Sequence, residues 1–173
     1  MPVTALIDYG SGNLASAAKA LARAANGSSE IVTTADPEIV LTSERVVLPG
    51  VGAFADCMKG LSAIPGMVEA LREKVLKEGA PFLGICVGMQ MMASWGREYQ
   101  DTAGFDWIAG EVTHIAPKDP SLKVPHMGWN DLIIDTPHPV LAGISNGDHA
   151  YFVHSYQFHV THAAERLAHV DYA

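Results

Sequence analysis

Cysteine is scarce in this chain. There are two in 173 residues, Cys57 and Cys86, and they form no C-x-x-C pair. That argues against a disulfide scaffold or a structural zinc site. Two unpaired thiols fit a reducing, cytoplasmic setting. Positive charge is also short: 11 lysines and arginines stand against 19 aspartates and glutamates, a formal net charge of −8. So acidic a chain offers no basic face to nucleic acid or to an anionic membrane. The first positive side chain is Lys19, so no signal peptide is readable. Charged residues make up only 17% against 49% hydrophobic, which excludes disorder. The longest uncharged run, residues 79–96, is 18 residues long and reaches the length of a membrane span. Pro81, Gly84, Gly88 and Gln90 interrupt it, and it reads instead as a buried strand followed by the start of a helix.

What remains is a length suited to one domain, here 1–173, with enough chain to bury a proper core. Hydrophobic patterning predicts strands at Val3–Tyr9, Glu30–Thr33, Arg45–Leu48 and Phe82–Ile85. Helices are expected over Leu14–Ala25, after the Asp36-Pro37 start signal, around Ala53–Gly60, over Met67–Glu78, and from Cys86 through about Ser94. Strands alternating with helices imply an α/β fold with an open, mostly parallel sheet flanked by helices. After Gly104 the pattern changes: Trp107–Ile115, Trp129–Ile134 and Tyr151–Val160 read as strands with little helix, giving a β-rich second half.

The sharpest chemical signal is Gly84-Ile85-Cys86-Val87-Gly88, set between an apolar strand and a helix. That is the context of a nucleophile elbow, in which a tight turn exposes the nucleophile in strained backbone and flanking glycines leave it room. The helix N-terminus is expected to favour thiolate at Cys86, and the Val87 amide is placed to bind an oxyanion. Without its glycines and strand–helix context, Cys86 would read as one more small buried cysteine, as Cys57 does. A second signal, Pro49-Gly50-Val51-Gly52, ends the preceding strand, where ligands bind in parallel sheets; its amides can complete an oxyanion hole. A third, Gly10-Ser11-Gly12-Asn13-Leu14-Ala15 with Glu30 twenty residues on, matches a dinucleotide fingerprint and supports a rival reading as a nucleotide-binding module. His154, His159 and His162 cluster in sequence; in one strand His154 and His162 would share a face and His159 would oppose them. They do not make a persuasive metal site, and Tyr151-Phe152-Val153 reads as core strand.

Together, Leu48–Phe54, Gly84–Gln90, Pro125–Asn130 (Pro-His-Met-Gly-Trp-Asn) and Tyr151–Tyr156 (Tyr-Phe-Val-His-Ser-Tyr) resemble the glutaminase subunit of imidazole glycerol phosphate synthase, with Asp8–Asn13 similar too. The cysteine elbow is common to class I glutamine amidotransferases; the His-Met-Gly-Trp-Asn segment is more specific. The resemblance implies that Cys86 attacks the side-chain amide of glutamine and forms a glutamyl thioester, with Val51, Gly52 and Val87 around the oxyanion. It implies that Gln90, Ser155 and Tyr156 hold the rest of the glutamine, and that Asn13 and Trp129 face a (βα)8-barrel cyclase partner that uses the ammonia in histidine biosynthesis. No cofactor and no metal is called for.

One departure matters. The family's triad takes a histidine and a glutamate from a Gln-Phe-His-Pro-Glu motif. Gln157-Phe158-His159 imitates its first half, but Val160 and Thr161 replace Pro-Glu. The expectation is that this stretch is a coincidence within the preceding strand and that the true motif would follow Ala173. Without the base the chain is expected to be a poor glutaminase, since general acid–base help contributes roughly 10²–10⁴-fold. A non-catalytic partner-binding subunit and a cysteine hydrolase of similar architecture are the remaining alternatives.

Overall fold

The computed structural model describes residues 1–172. The chain divides into two compact units, Met1–Met92 and the stretch from Ala93 onward, each described by itself.

The first unit alternates strand and helix: β1 Val3–Ile7, α1 Leu14–Ala25, β2 Glu30–Thr34, α2 Pro37–Thr42, β3 Arg45–Gly50, α3 Phe54–Ser62, α4 Met67–Arg72, β4 Phe82–Cys86 and the single-turn α5 Val87–Gln90. The strands form a wholly parallel sheet in the order β2-β1-β3-β4. Its two inner strands are apolar runs, Val3-Thr-Ala-Leu-Ile7 and Val46-Val-Leu48, as expected of strands covered on both faces. Leu6, Ile7 and Leu48 are fully buried, as are Phe54, Leu61, Met67 and Leu71 from the helices and Met91 just after α5. Each such side chain stabilises the fold by about 1.5–3 kcal/mol. The helix starts follow local chemistry. The Asn13 side chain accepts from the Ser16 N–H at 3.2 Å, and the Asp36 side chain accepts from the Glu38 N–H at 2.9 Å with Pro37 in the first turn. Beyond Arg72 the helix widens into a π-helical turn, Glu73–Lys77.

Two expectations need correction here. β4 is the sheet's edge rather than a buried strand, and Leu83 and Ile85 are exposed. The helix after Cys86 does not reach Ser94: it ends at Gln90, and Ala93–Gly96 is already a strand. Pairing of that strand with its neighbours overrides a local sequence that could have continued the helix.

The second unit is β-rich. It comprises β5 Ala93–Gly96, β6 Thr102–Ala103, β7 Ile108–His114, β8 His126–Asp131, β9 Ile133–Ile134, β10 His149–His154, β11 Tyr156–Val160 and β12 Ala168–His169. One sheet has the order β11-β7-β5-β6, while β8 pairs antiparallel with β10, and β9 with β12. The expected single strand Tyr151–Val160 is therefore two strands in different sheets, broken at Ser155, whose carbonyl accepts from the Ile115 N–H at 2.8 Å. The break also undoes the common face expected of His154 and His162, since His162 lies outside any strand. His154 instead meets His126 across the β8–β10 ribbon, with Nε2 of His154 3.1 Å from Nδ1 of His126, so one ring donates an N–H to the other. Phe152 and Tyr172 stack on the buried His126 ring, at 5.0 and 3.8 Å between centroids.

Burial first, and then the neighbouring His154, hold His126 below the ordinary histidine range. An unfolded histidine takes a proton near pH 6.5. As pH falls below that value the unfolded chain gains a proton that the folded chain resists, so folded stability should fall. Melting curves should show a lower Tm at pH 5.5 than at 7.5, with the loss reduced in His126→Phe, which keeps the ring stack. An equal loss in the variant would show that other groups carry it.

Candidate active site

The elbow is built by two close backbone approaches. A side chain at Gly88 would overlap the Leu48 carbonyl oxygen of β3, and one at Gly84 would come within 2.6 Å of the Met89 backbone nitrogen. Only glycine lets α5 press against β3 and fold back over β4. Cys86, held between them, adopts φ 55° and ψ −117°, a region that costs a non-glycine residue about 1–3 kcal/mol. Across the sheet it is paired with Gly50 at the end of β3.

The residue as a whole is exposed, yet neighbouring atoms strip enough water from its sulfur to push the thiol above the ordinary cysteine range. A hydrogen bond from the Val87 backbone N–H pulls the other way, and nearby Cys57 adds to the rise. This corrects the expectation of a thiolate favoured by a helix: α5 is a single turn, too short to supply much field against desolvation. The first unit contains no histidine at all, so no imidazole within it can take the proton.

Of the residues expected around the oxyanion, Val87 lies directly after the thiol and is buried, while Val51 is 63% exposed. The Val51 N–H donates to the Ser11 hydroxyl at 2.9 Å, an engagement that the sequence did not signal. Gly52 follows with φ 109°. Gln90 is buried in the first unit, whereas Ser155 and Tyr156 belong to the second, where the Tyr156 ring meets His114 edge-on at 5.3 Å between centroids. Trp129 is not core: it is 70% exposed on the outer face of β8, edge-on to Tyr151 at 5.6 Å. Asn13 caps α1 and lines an open cleft of about 730 Å³ with Tyr9, Ser11, Val51 and Cys57; Cys86 is not among the lining residues.

The nucleotide fingerprint does not hold together in three dimensions. Gly10 follows the end of β1, but Glu30 pairs with Val3 at that strand's start. Four strand steps, about 13 Å, separate the two ends, so the acidic residue cannot serve a ligand at the glycine turn. Among the described residues, no group of three or more His, Cys, Asp or Glu side chains is placed to hold a metal ion. Nor, among those residues, is any helix long and apolar enough to cross a membrane.

Comparison with known proteins agrees with this geometry. The family model "Glutamine amidotransferase class-I" matches residues 5–170, and the chain belongs to that family. More narrowly, it is 59% identical over 172 residues to the imidazole glycerol phosphate synthase subunit HisH of Cereibacter sphaeroides, covering 98% of this chain and 81% of the relative. The HisH subunit of Ruegeria pomeroyi is 55% identical, with the same coverage, and that of Rhodospirillum rubrum 59% identical, covering 97% of this chain and 80% of the relative. Among solved structures, a glutamine amidotransferase superposes with a TM-score of 0.70 at 19% identity, covering 95% of this chain and 78% of that one. The glutaminase domain of Trypanosoma brucei CTPS gives 0.56 at 14%, covering 91% and 68%. These two bear on the fold alone.

The raised thiol predicts how Cys86 responds to pH. Cys57 is buried, so iodoacetamide should modify Cys86 first, at a rate that climbs with pH to a midpoint above the value of about 8.5 typical of a free thiol. A midpoint at or below that value would contradict the desolvated-thiol account.

Proposed function

We propose that this chain is the glutaminase half of a two-subunit synthase, hydrolysing glutamine to glutamate and delivering the ammonia to a (βα)8-barrel cyclase that forms imidazole glycerol phosphate in histidine biosynthesis. The observation that carries the reading is Cys86, strained at the tip of the β4–α5 turn with the Val87 N–H on its sulfur. Both units would belong to one amidotransferase domain, a reading supported by a family match that runs across the two.

The chemistry follows from the groups present. Cys86, deprotonated by a base, attacks the side-chain carbonyl carbon of glutamine; a C–S bond forms and the carbonyl oxygen takes the negative charge. The Val87 N–H, joined by that of Val51 beside Gly52, stabilises this oxyanion, and each such donor contributes up to about 10²–10³-fold in rate. Protonation of the amide nitrogen lets the C–N bond break, and ammonia leaves. Water then attacks the thioester, the C–S bond breaks, and glutamate departs with the thiol restored. Because the thiol sits high and the first unit has no histidine, the reaction requires an imidazole base from outside that unit. Gln90, with the backbone around Ser155 and Tyr156, is assigned to the amino and carboxylate groups of glutamine.

The cyclase would be met by Asn13 and by the outer face of the β8–β10 ribbon. There Met127, Trp129, Tyr151 and Val153 stand exposed in two cross-strand pairs. An apolar, aromatic face of this kind is unusual for free surface and typical of an interface core.

Cys86→Ser should abolish glutamate release by the protein in complex with the cyclase while leaving the complex intact. Ammonia production unchanged in that variant would remove the reading. Trp129→Ala should weaken cyclase binding by roughly 30-fold or more, as loss of an interface anchor does, read by titration calorimetry. A change below threefold would place the partner elsewhere.

A further inference from the structure

The face of the β8–β10 ribbon opposite Trp129 carries a directed chain of hydrogen bonds, and it ends on Tyr156. β11 is the edge of its sheet. Tyr156 opposes His114 on β7 in a pair flanked by the bond from the Ile115 N–H to the Ser155 carbonyl. In such a pair the Tyr156 carbonyl faces away from β7. There Nδ1 of His154 meets it at 2.9 Å. A carbonyl only accepts, so His154 carries a proton on Nδ1. In the neutral ring Nε2 is then bare, and it accepts the Nδ1–H of His126 at 3.1 Å. His126 is left with a bare Nε2, and the Asn130 amide nitrogen lies 3.5 Å from it, at the outer limit of a hydrogen bond. The direction is fixed: His126 donates to His154, and His154 to Tyr156. The last bond spans two residues and closes a ring around Ser155, where the chain changes sheets.

We propose that His126 is a positioning residue for glutamine binding: its donation to Nε2 keeps the His154 proton on Nδ1, where it holds the Tyr156 carbonyl and so sets the Ser155–Tyr156 backbone that receives the amino and carboxylate groups of the substrate. This rests on the reading above that this backbone binds glutamine. Which nitrogen of a histidine holds the proton is set by the hydrogen bond that the other nitrogen makes. Without a donor at Nε2, the His154 proton is free to move there, and a bare Nδ1 repels the carbonyl it held. Packing alone does not call for a histidine at position 126. The ring is buried between Phe152 and Tyr172, a place that a phenyl ring fills without burying polar nitrogens. His126 acts through His154 and has no contact with substrate, so it serves binding rather than the chemical step.

The test is glutamate release by the complex with its cyclase for wild type, His126→Phe, His154→Phe and the double variant. His126→Phe keeps the ring stack and loses the donor. Net hydrogen-bond strengths predict a KM for glutamine raised about 2- to 10-fold, with kcat unchanged, as for an interaction that holds ground state and transition state alike. His154→Phe should raise KM at least as far. The double variant should match His154→Phe, because one residue acts through the other. Nitrogen-15 NMR of histidine-labelled protein gives the second readout: His154 should be protonated on Nδ1 in the wild type and lose that preference in His126→Phe. An unmoved KM in His126→Phe overturns the proposal, as do KM effects that add in the double variant. So does a wild-type spectrum with the His154 proton on Nε2, which needs no variant to fold. Cys86→Ser, run alongside, separates the two layers of argument: ammonia release persisting there sinks the glutaminase reading, whereas a dead Cys86→Ser beside an unmoved KM in His126→Phe sinks the positioning role alone.

Discussion

The first unit turns on how closely the β4–α5 turn approaches β3. With Gly88 against the Leu48 carbonyl and Gly84 against Met89, there is no space for a side chain at either point, and the chain between them has one way to run. That compression sets the cysteine in a backbone conformation that few residues tolerate. The core offsets the cost. Leu48, Met91, Phe54 and Leu61 are fully buried around the same strand and helices, and several such side chains outweigh a strain of about 1–3 kcal/mol.

From that constraint the two flanks of β3 acquire different characters. On the β4 side lies the reactive cysteine, with the Val87 amide on its sulfur. On the β1 side lies the Ser11 hydroxyl, which accepts the Val51 N–H just past the end of β3. The parallel order β2-β1-β3-β4 is thus more than a scaffold: it divides nucleophile from anchor, and Val51 sits where the two meet.

Much of this was legible in the residues. The inner strands announce themselves as short runs of valine, isoleucine and leucine between glycine turns, and the elbow glycines mark the nucleophile because sterics admit nothing else. The parts that were not legible depend on tertiary pairing. Ala93–Gly96 reads locally as the continuation of a helix, and only its ladder partners make it a strand. Ser155 carries no turn signal, and the break there comes from the chain leaving one sheet for another. An apolar strand such as Phe82–Ile85 looks the same in sequence whether it is central or at an edge. His126 and His154 are 28 positions apart, and only the ribbon's register brings them together. The thiol's rise was missed because a motif shows a helix starting after the cysteine but not that it stops after one turn.

That raised thiol has a consequence for a protein waiting between substrates. Peroxide and disulfides attack the thiolate far faster than the protonated sulfur, and susceptibility follows thiolate character together with exposure. Cys86 is exposed and so has only its proton to protect it. By keeping that proton until a base arrives, the elbow leaves an exposed nucleophile chemically quiet at rest, with desolvation as its guard.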